Sequence, residues 1–496
     1  MFRKLLVANR GEIAVRVVRA CRDMGVRAVA LYDDTDRGSL HVRLADECVR
    51  LPSDALYRDA EALVRIAREA GADAIHPGYG FLSEHADFAR ACDAAGIAFV
   101  GPSAALLDAV RDKIGALERA RAAGFAVPRH SGRAFGSDEL DELRAAAETL
   151  GYPLVLKSCS GGRSHGTRLV RSPAQLERAA QLALSSASLA FGDERVYLEE
   201  ALLPSRYLEV QLLGDRHGAL VHLGERDGSI QHNHRKIIEE SPAPGLDPAV
   251  REGLLRQALA IGRLFGCEGL CTVEFVADAG GRLCFTEVKA RIQVEHPVTE
   301  LMTGLDLVRE QLRVAAGEAL GLVQGDVRLT GVAMQCRINA EDPWNHFLPS
   351  PGRLRRFRLP AGPHVRVDTY AYGGCAIPVR YDPLLAKVAV WAEDREACVL
   401  RLRRCLEDFA ISGVQTNLPL VQRVLNSPAF SAGTYDTEFD CRPLLEDTAG
   451  SVDDAALRDL AVAAAVAYLG RARGARGAQP ERFESAWHRD SRRLPK

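Results

Sequence analysis

Over the first hundred residues, apolar positions switch between short continuous runs and a helical spacing. Lys4 to Ala8, Val26 to Tyr32, Ala72 to His76 and Ile97 to Val100 read as strands, with helical stretches at Gly11 to Met24 and Ala86 to Ala95. Such alternation predicts a parallel, doubly wound sheet. From Pro153 the pattern becomes strand (Pro153 to Lys157), glycine-containing loop, strand (Thr167 to Arg171) and helix (Pro173 to Leu184), which reads as a small separate lobe. After Pro204 long strands dominate: Tyr207 to Leu213, Ala219 to Glu225, Leu270 to Asp278 and Arg282 to Ala290. Helices are expected over 248–265 and 299–316, and a β-rich stretch over 331–395 closes on helix 395–409.

With 496 residues, two to four packed units are expected rather than one core. A net charge of −2 argues against a dedicated nucleic-acid binder. No stretch approaches the ~20 apolar residues needed to cross a bilayer; the nearest, Leu460 to Gly470, is short and alanine-rich, and the N-terminal apolar run is too short for a signal peptide. The twelve cysteines include no CxxC pair, and the spacing of Cys267 and Cys271 fits a strand edge better than a zinc knuckle. Reduced, mostly buried thiols in a soluble cytoplasmic protein are expected. Residues 471–496 carry eight Arg/Lys and three Asp/Glu, and read as a solvated tail or linker.

Only seven of the 64 basic residues are lysine: Lys4, Lys113, Lys157, Lys236, Lys289, Lys387 and Lys496. A chain that otherwise writes arginine keeps lysine where a compact ammonium is required. Gly161-Gly162-Arg-Ser-His-Gly166 follows the strand ending in Lys157; such a loop can fold backbone N–H groups over phosphates, although taken alone it reads better as a plain turn. Strands 270–278 and 282–290 meet at Gly280-Gly281, a two-residue hairpin signal. Pairing outward from that turn places Glu274 opposite Glu287 on one face, with Cβ atoms ~5 Å apart. Two such carboxylates suit Mg²⁺ bridging nucleotide phosphates, or form an acidic pair on a solvated face. Lys289 falls on the same face. Next come Arg291-Ile-Gln-Val-Glu-His-Pro297, able to hold a small anion and take its proton, and, earlier, the polar run from Glu225 through Gln231 to Glu240. With Lys113, Lys157 and the glutamate pair, these patches favour an ATP-using enzyme.

These segments resemble biotin carboxylase, the ATP-grasp component of biotin-dependent carboxylases, from about Lys4 to Leu444. The markers are Ala8-Asn-Arg-Gly-Glu-Ile-Ala14, His76-Pro-Gly-Tyr-Gly-Phe-Leu-Ser-Glu84, Glu225-Arg-Asp, Arg291-Ile-Gln-Val-Glu-His-Pro-Val-Thr-Glu300, Cys336-Arg-Ile-Asn-Ala-Glu-Asp-Pro343 and Phe347-Leu-Pro-Ser-Pro-Gly352. The resemblance implies an α/β and α+β chain with an ATP-grasp fold. Its expected parts are an N-terminal doubly wound domain (1–112), a first ATP-grasp part with a mobile lid (113–203, lid 131–203), a second part (204–330), a β-rich C-terminal domain (331–446) and a tail or docking segment (447–496). It implies that MgATP (or MnATP) and bicarbonate yield carboxyphosphate, which carboxylates biotin N1′ on a separate carrier.

By the same resemblance, Lys113 and Lys157 match ATP-phosphate lysines, with Gly161 and Gly162 in the lid loop. Glu199 matches the adenine-pocket glutamate, and Glu274 and Glu287 the metal carboxylates. Lys236, Arg291, Gln293 and Val294 fall on the bicarbonate site, Glu295 is the expected base, and Arg337 steadies the biotin enolate. His234 and Gln231 fall on the nucleotide side, and Tyr79 near the biotin pocket. Five departures stand out. Lys289 replaces the asparagine that is the family's third metal ligand, and Tyr207 replaces a histidine. Arg235 replaces a glutamine, Glu200 a basic residue, and the lid loop is bulkier than an all-glycine one.

None of Met1, Met24, Met302 and Met334 adjoins a lysine, so no biotin-attachment motif is present. The biotin carboxyl carrier protein and carboxyltransferase are therefore expected on separate chains. A homodimer is expected from the family. Two other readings stay open: a catalytically weakened paralogue with a structural or regulatory role in a carboxylase complex, and an ATP-grasp ligase acting on another carboxylate.

Overall fold

The computed structural model describes residues 1–159, 167–191, 193–446, 458–459, 461–466 and 468. Met1–Cys441 form one compact unit and Arg442–Lys496 a second. In the second, the described residues comprise a short 3₁₀ turn at Arg442–Leu444 and exposed helical positions between 458 and 468. Gly161, Gly162 and the basic run 471–496 lie outside the described residues.

The first unit opens with the expected parallel sheet. Its five strands are ordered Glu47–Arg50, Arg27–Tyr32, Lys4–Val7, Ala74–His76, Ala98–Phe99. The three central strands are largely apolar on both faces, the usual state of a parallel sheet covered by helices. Lys4, which had no assigned role, donates to Glu47 Oε2 at 3.2 Å and to the Ala70 carbonyl at 2.8 Å, tying the edge strand to the helix Ala60–Glu69 and its C-terminal turn. The small lobe is a three-stranded antiparallel sheet, Arg168–Val170, Leu154–Ser158, Val196–Glu200, packed on helices Leu140–Leu150 and Pro173–Phe191. It has its own core around Phe135, Leu156, Leu176 and Leu198.

The rest is organised by one eight-stranded antiparallel sheet. Its order is Leu283–Lys289, Gly269–Asp278, Ser205–Gly214, Leu220–Asp227, Ile238–Ser241, Val332–Asn339, Leu384–Ala392, Val365–Thr369. Strands on both sides of residue 330 thus share one hydrogen-bonded ladder.

Two expectations need correction. The helix expected over 299–316 is two helices, His296–Thr303 and Leu307–Ala315. Gly304 takes a left-handed φ of 72° that ends the first, and the Asp306 carboxylate caps the second by accepting from the Arg309 N–H. The hairpin turn is also not a two-residue turn at Gly280-Gly281. Asp278 N–H donates to the Arg282 carbonyl, so three residues form the loop, and Gly281 adopts a φ of 80°. A bulge next to Glu274 then shifts the register by one, and Glu274 does lie opposite Glu287. All twelve cysteines are free thiols and ten are buried.

Candidate functional site

One row of residues crosses four adjacent strands: Glu287, Glu274, Glu209 and Arg226 are directly opposite one another in the ladder. Directly opposed residues share a face, so three carboxylates stand side by side, ~5 Å apart. Like charges so close require compensation, and the structure shows where it comes from.

At one end, the fully buried Arg226 donates to Glu209 Oε1 (2.7 Å), Gln211 Oε1 (2.9 Å), Thr299 Oγ1 (2.7 Å) and Gln293 Oε1 (2.5 Å). Lys236 Nζ reaches Glu209 Oε2 and Glu295 Oε1, both at 2.5 Å. A side chain at Gly228 would place its Cβ 2.9 Å from Lys236 Cδ and Cε, so glycine is needed where the lysine passes. Arg337 bonds Glu239 Oε1 at 2.6 Å and Glu295 Oε2 at 3.0 Å. Glu295 therefore has a cation on each oxygen. Burial opposes its ionisation, but Lys236 and Arg337 outweigh burial and hold its carboxyl well below the usual range. Arg291 stands beside this centre, its Nε 3.2 Å from Glu84 Oε1.

The loop 291–295 is placed by the strand ending at Lys289 and by the helix starting at His296, whose Pro297 suits a first-turn position. His296 Nδ1 bonds the Gln293 carbonyl at 2.7 Å and closes the turn. Gln293 is buried in the centre of the row, and Val294 is half-buried beside it. Gln231 pairs across a short hairpin with Lys236 and donates to the Gly228 carbonyl at 2.8 Å. His234, at its tip, is exposed, with a left-handed φ of 59°.

At the other end of the row, Lys289 Nζ lies 2.6 Å from Glu287 Oε2. Tyr207 donates its hydroxyl to Glu274 Oε2, and Gln293 donates to Glu274 Oε1 at 2.9 Å. Burial first, and then the charge of Glu287, push Glu274 up to about 8. Burial also works against Glu287, but Lys289 and Lys113 hold its carboxyl down. Lys113 donates to the Ser158 carbonyl at 3.3 Å, and burial lowers its pKa. Lys157 Nζ pairs with Glu199 Oε2 at 2.7 Å, while Tyr197 donates to Oε1 at 2.7 Å. Glu200 is neutralised by Arg129, whose Nε is 2.7 Å away, and by Arg282 at 3.4 Å. Arg235 is drawn aside to Glu341 Oε1 at 2.9 Å.

Tyr79 sits apart from the row. It donates to Glu12, whose other oxygen is 3.0 Å from the buried Lys387 Nζ. Arg337 lies close enough to Tyr79 to pull its raised hydroxyl pKa back down, though burial and Glu12 prevail.

Among the described residues, no cluster of three or more histidine, cysteine or carboxylate side chains could hold a metal by itself. The pair Glu274 and Glu287 fits one magnesium ion completed by nucleotide phosphates, because Mg²⁺ takes one or two carboxylates plus phosphate oxygens. With Lys289 in place, a third side-chain ligand is lacking there.

Sequence reasoning singled out neither Arg226 nor Glu209 nor Glu239, although all three are buried against the predicted residues. A signal existed: Glu209 and Gln211 alternate with apolar residues in Tyr207-Leu-Glu-Val-Gln211, and Glu225-Arg-Asp227 ends another strand with three successive charges, so polar groups directed at a core must find partners there.

Three families match successive parts of the chain: the biotin carboxylase N-terminal domain over residues 1–107, the carbamoyl-phosphate synthase L chain ATP binding domain over 112–323, and the biotin carboxylase C-terminal domain over 335–440. Biotin carboxylase 1 of Bacillus subtilis (strain 168) is 42% identical over 443 residues, covering 88% of this chain and 98% of the relative. The chain belongs to the biotin carboxylase family. Among solved biotin carboxylases, the domain dimer of Hydrogenobacter thermophilus 2-oxoglutarate carboxylase, in complex with MgADP, ADP and bicarbonate, superposes with a TM-score of 0.87 at 41% identity, covering 91% of this chain and 100% of that one. The biotin carboxylase domain of thermophilic 2-oxoglutarate carboxylase bound to ADP without magnesium, with a disordered phosphate tail, gives a TM-score of 0.76 at 41% identity over the same shares.

Proposed function

We infer that this chain carboxylates biotin with ATP and bicarbonate, as the biotin carboxylase subunit of an acyl-CoA carboxylase. The observation that carries this reading is Glu295 held between Lys236 and Arg337, beside Arg291 and within the same network as Glu274. A carboxylate so stabilised is a poor base until its cations are shared. Bicarbonate supplies the sharing: an anion bound by Lys236 and Arg291 takes up their positive charge and adds its own negative charge, and both effects raise the proton affinity of Glu295. The substrate thereby activates the base that deprotonates it. An oxygen of the deprotonated bicarbonate then attacks the γ-phosphorus, the bond to the ADP oxygen breaks, and carboxyphosphate forms. Lys113 and Lys157 neutralise the phosphates. Magnesium on Glu274 and Glu287, when bound, offsets the charge developing on the transferred phosphoryl group.

Biotin, on the carboxyl carrier protein, is taken up between Arg337 and Tyr79, where the guanidinium stabilises its enolate. The carboxyltransferase subunit receives the carboxybiotin, two copies of this chain pair as a dimer, and the assembly works in the cytoplasm. Among the described residues, no helix is long and apolar enough to cross a membrane.

The test is ADP release with and without bicarbonate and free biotin. Release that depends on both is expected; release that ignores bicarbonate, or that needs another acid, overturns the reading.

A further inference from the structure

We propose that Lys289 is a resident cation for the nucleotide phosphates, so that this chain holds ADP in an ordered site with little dependence on a divalent metal. The inference rests on reading this corner as a nucleotide site and adds how its charge is balanced.

Phosphates approaching two bare carboxylates are repelled, and a divalent ion ordinarily removes that repulsion. Here the chain removes it from within. Lys289 is buried, and its Nζ sits 2.6 Å from Glu287 Oε2. Lys113 reaches the same corner from the N-terminus of its helix, Lys113–Ala122. The second carboxylate is capped independently, because Tyr207 donates to one oxygen of Glu274 and Gln293 to the other. The two replacements, lysine for asparagine and tyrosine for histidine, are far apart in sequence. They lie on one face of the sheet, on the two strands that flank Gly269–Asp278, and each closes one member of the Glu274–Glu287 pair. A metal must displace Lys289 to reach Glu287 and Tyr207 to reach Glu274, whereas a phosphate can share the Lys289 ammonium, which has three donors and one short partner. The relative whose ADP tail is disordered without magnesium marks the contrast.

Calorimetric titration with ADP, in EDTA and in excess magnesium, tests this on the full chain and on Lys289→Asn. Removing magnesium should weaken the parent chain by less than about fivefold, while Lys289→Asn should lose more than about tenfold in EDTA and recover in magnesium. A larger loss in the parent, or a smaller loss in the variant, overturns the proposal. Lys289→Gln serves if the asparagine variant does not fold, which its thermal midpoint will show. Manganese EPR without nucleotide gives a second readout: Lys289→Asn should bind the ion more tightly than the parent, and equal binding counts against the proposal. If ADP does not bind even with magnesium, the nucleotide site itself falls, and the inference with it; magnesium-dependent binding alone sinks only the inference.

Discussion

The two ends of the carboxylate row solve one problem in opposite ways. At the Arg226 end, three acidic and three basic side chains interlock: Glu209 is shared by Arg226 and Lys236, Glu295 by Lys236 and Arg337, and Glu239 answers Arg337. At the Lys289 end the same fold carries replacements, and each restores a partner: Lys289 for Glu287, Tyr207 for Glu274, Arg129 for Glu200, Glu341 for Arg235. A degrading site would leave buried charges orphaned, at a cost of several kcal/mol per ion. Here the charges are balanced, which fits the proposed reading of this end as a retuned nucleotide corner.

That contrast can be broken most directly at Glu295. Glu295→Gln keeps the shape and removes the base, so bicarbonate-dependent ADP release should fall by about 10²–10⁴-fold, while ADP affinity measured by calorimetry stays within about twofold. Loss of ADP binding would show that the two ends are not separable. Next in size, Arg226→Met leaves Glu209 buried with one cation fewer and should cost about 3–5 kcal/mol of unfolding free energy, read by urea denaturation. Acid sharpens the comparison from outside. His41 and His76 are buried in the N-terminal part, and burial lowers both to about 4. Unfolded, each binds its proton near the ordinary value of about 6.5, so between these limits the unfolded chain holds more protons and stability falls as pH drops. From pH 7 to 5 each should cost about 2 kcal/mol, and His41→Gln should flatten the urea midpoint's fall. The Glu295 centre stays ionised across that range, so the scaffold is expected to fail first. The smallest effect belongs to Arg129→Gln: the arginine side chain is 64% exposed, and its loss should cost under about 1 kcal/mol in the same assay.

Much of this was legible in sequence, but unevenly. Alternating apolar runs carried the parallel sheet, since its three central strands are largely buried on both faces. The helix break at 304–306 was not legible from periodicity, because the apolar spacing continues across Gly304 and only the cap at Asp306 marks a new start. The Glu274–Glu287 pair was reached by way of a turn that does not exist: a three-residue loop and a one-residue bulge offset each other, so the register came out right with both details wrong. Arg226 and Glu209 escaped because a polar residue in an apolar strand announces a partner without naming it. The partners arrive from strands, a loop, a hairpin and a helix spread between residues 209 and 299, which only the tertiary structure brings together.

The eight-stranded ladder also has a consequence for how the chain is made. Strand Ile238–Ser241 is zipped to Val332–Asn339, which is synthesised much later. At ordinary translation rates its edge waits on the order of ten seconds for its neighbour. In that interval it is an open template for a strand of another nascent chain. The Arg337 that completes the Glu295 clamp sits on the strand that ends this exposure. The last step that protects the growing sheet is thus also the step that brings Glu295 its second cation.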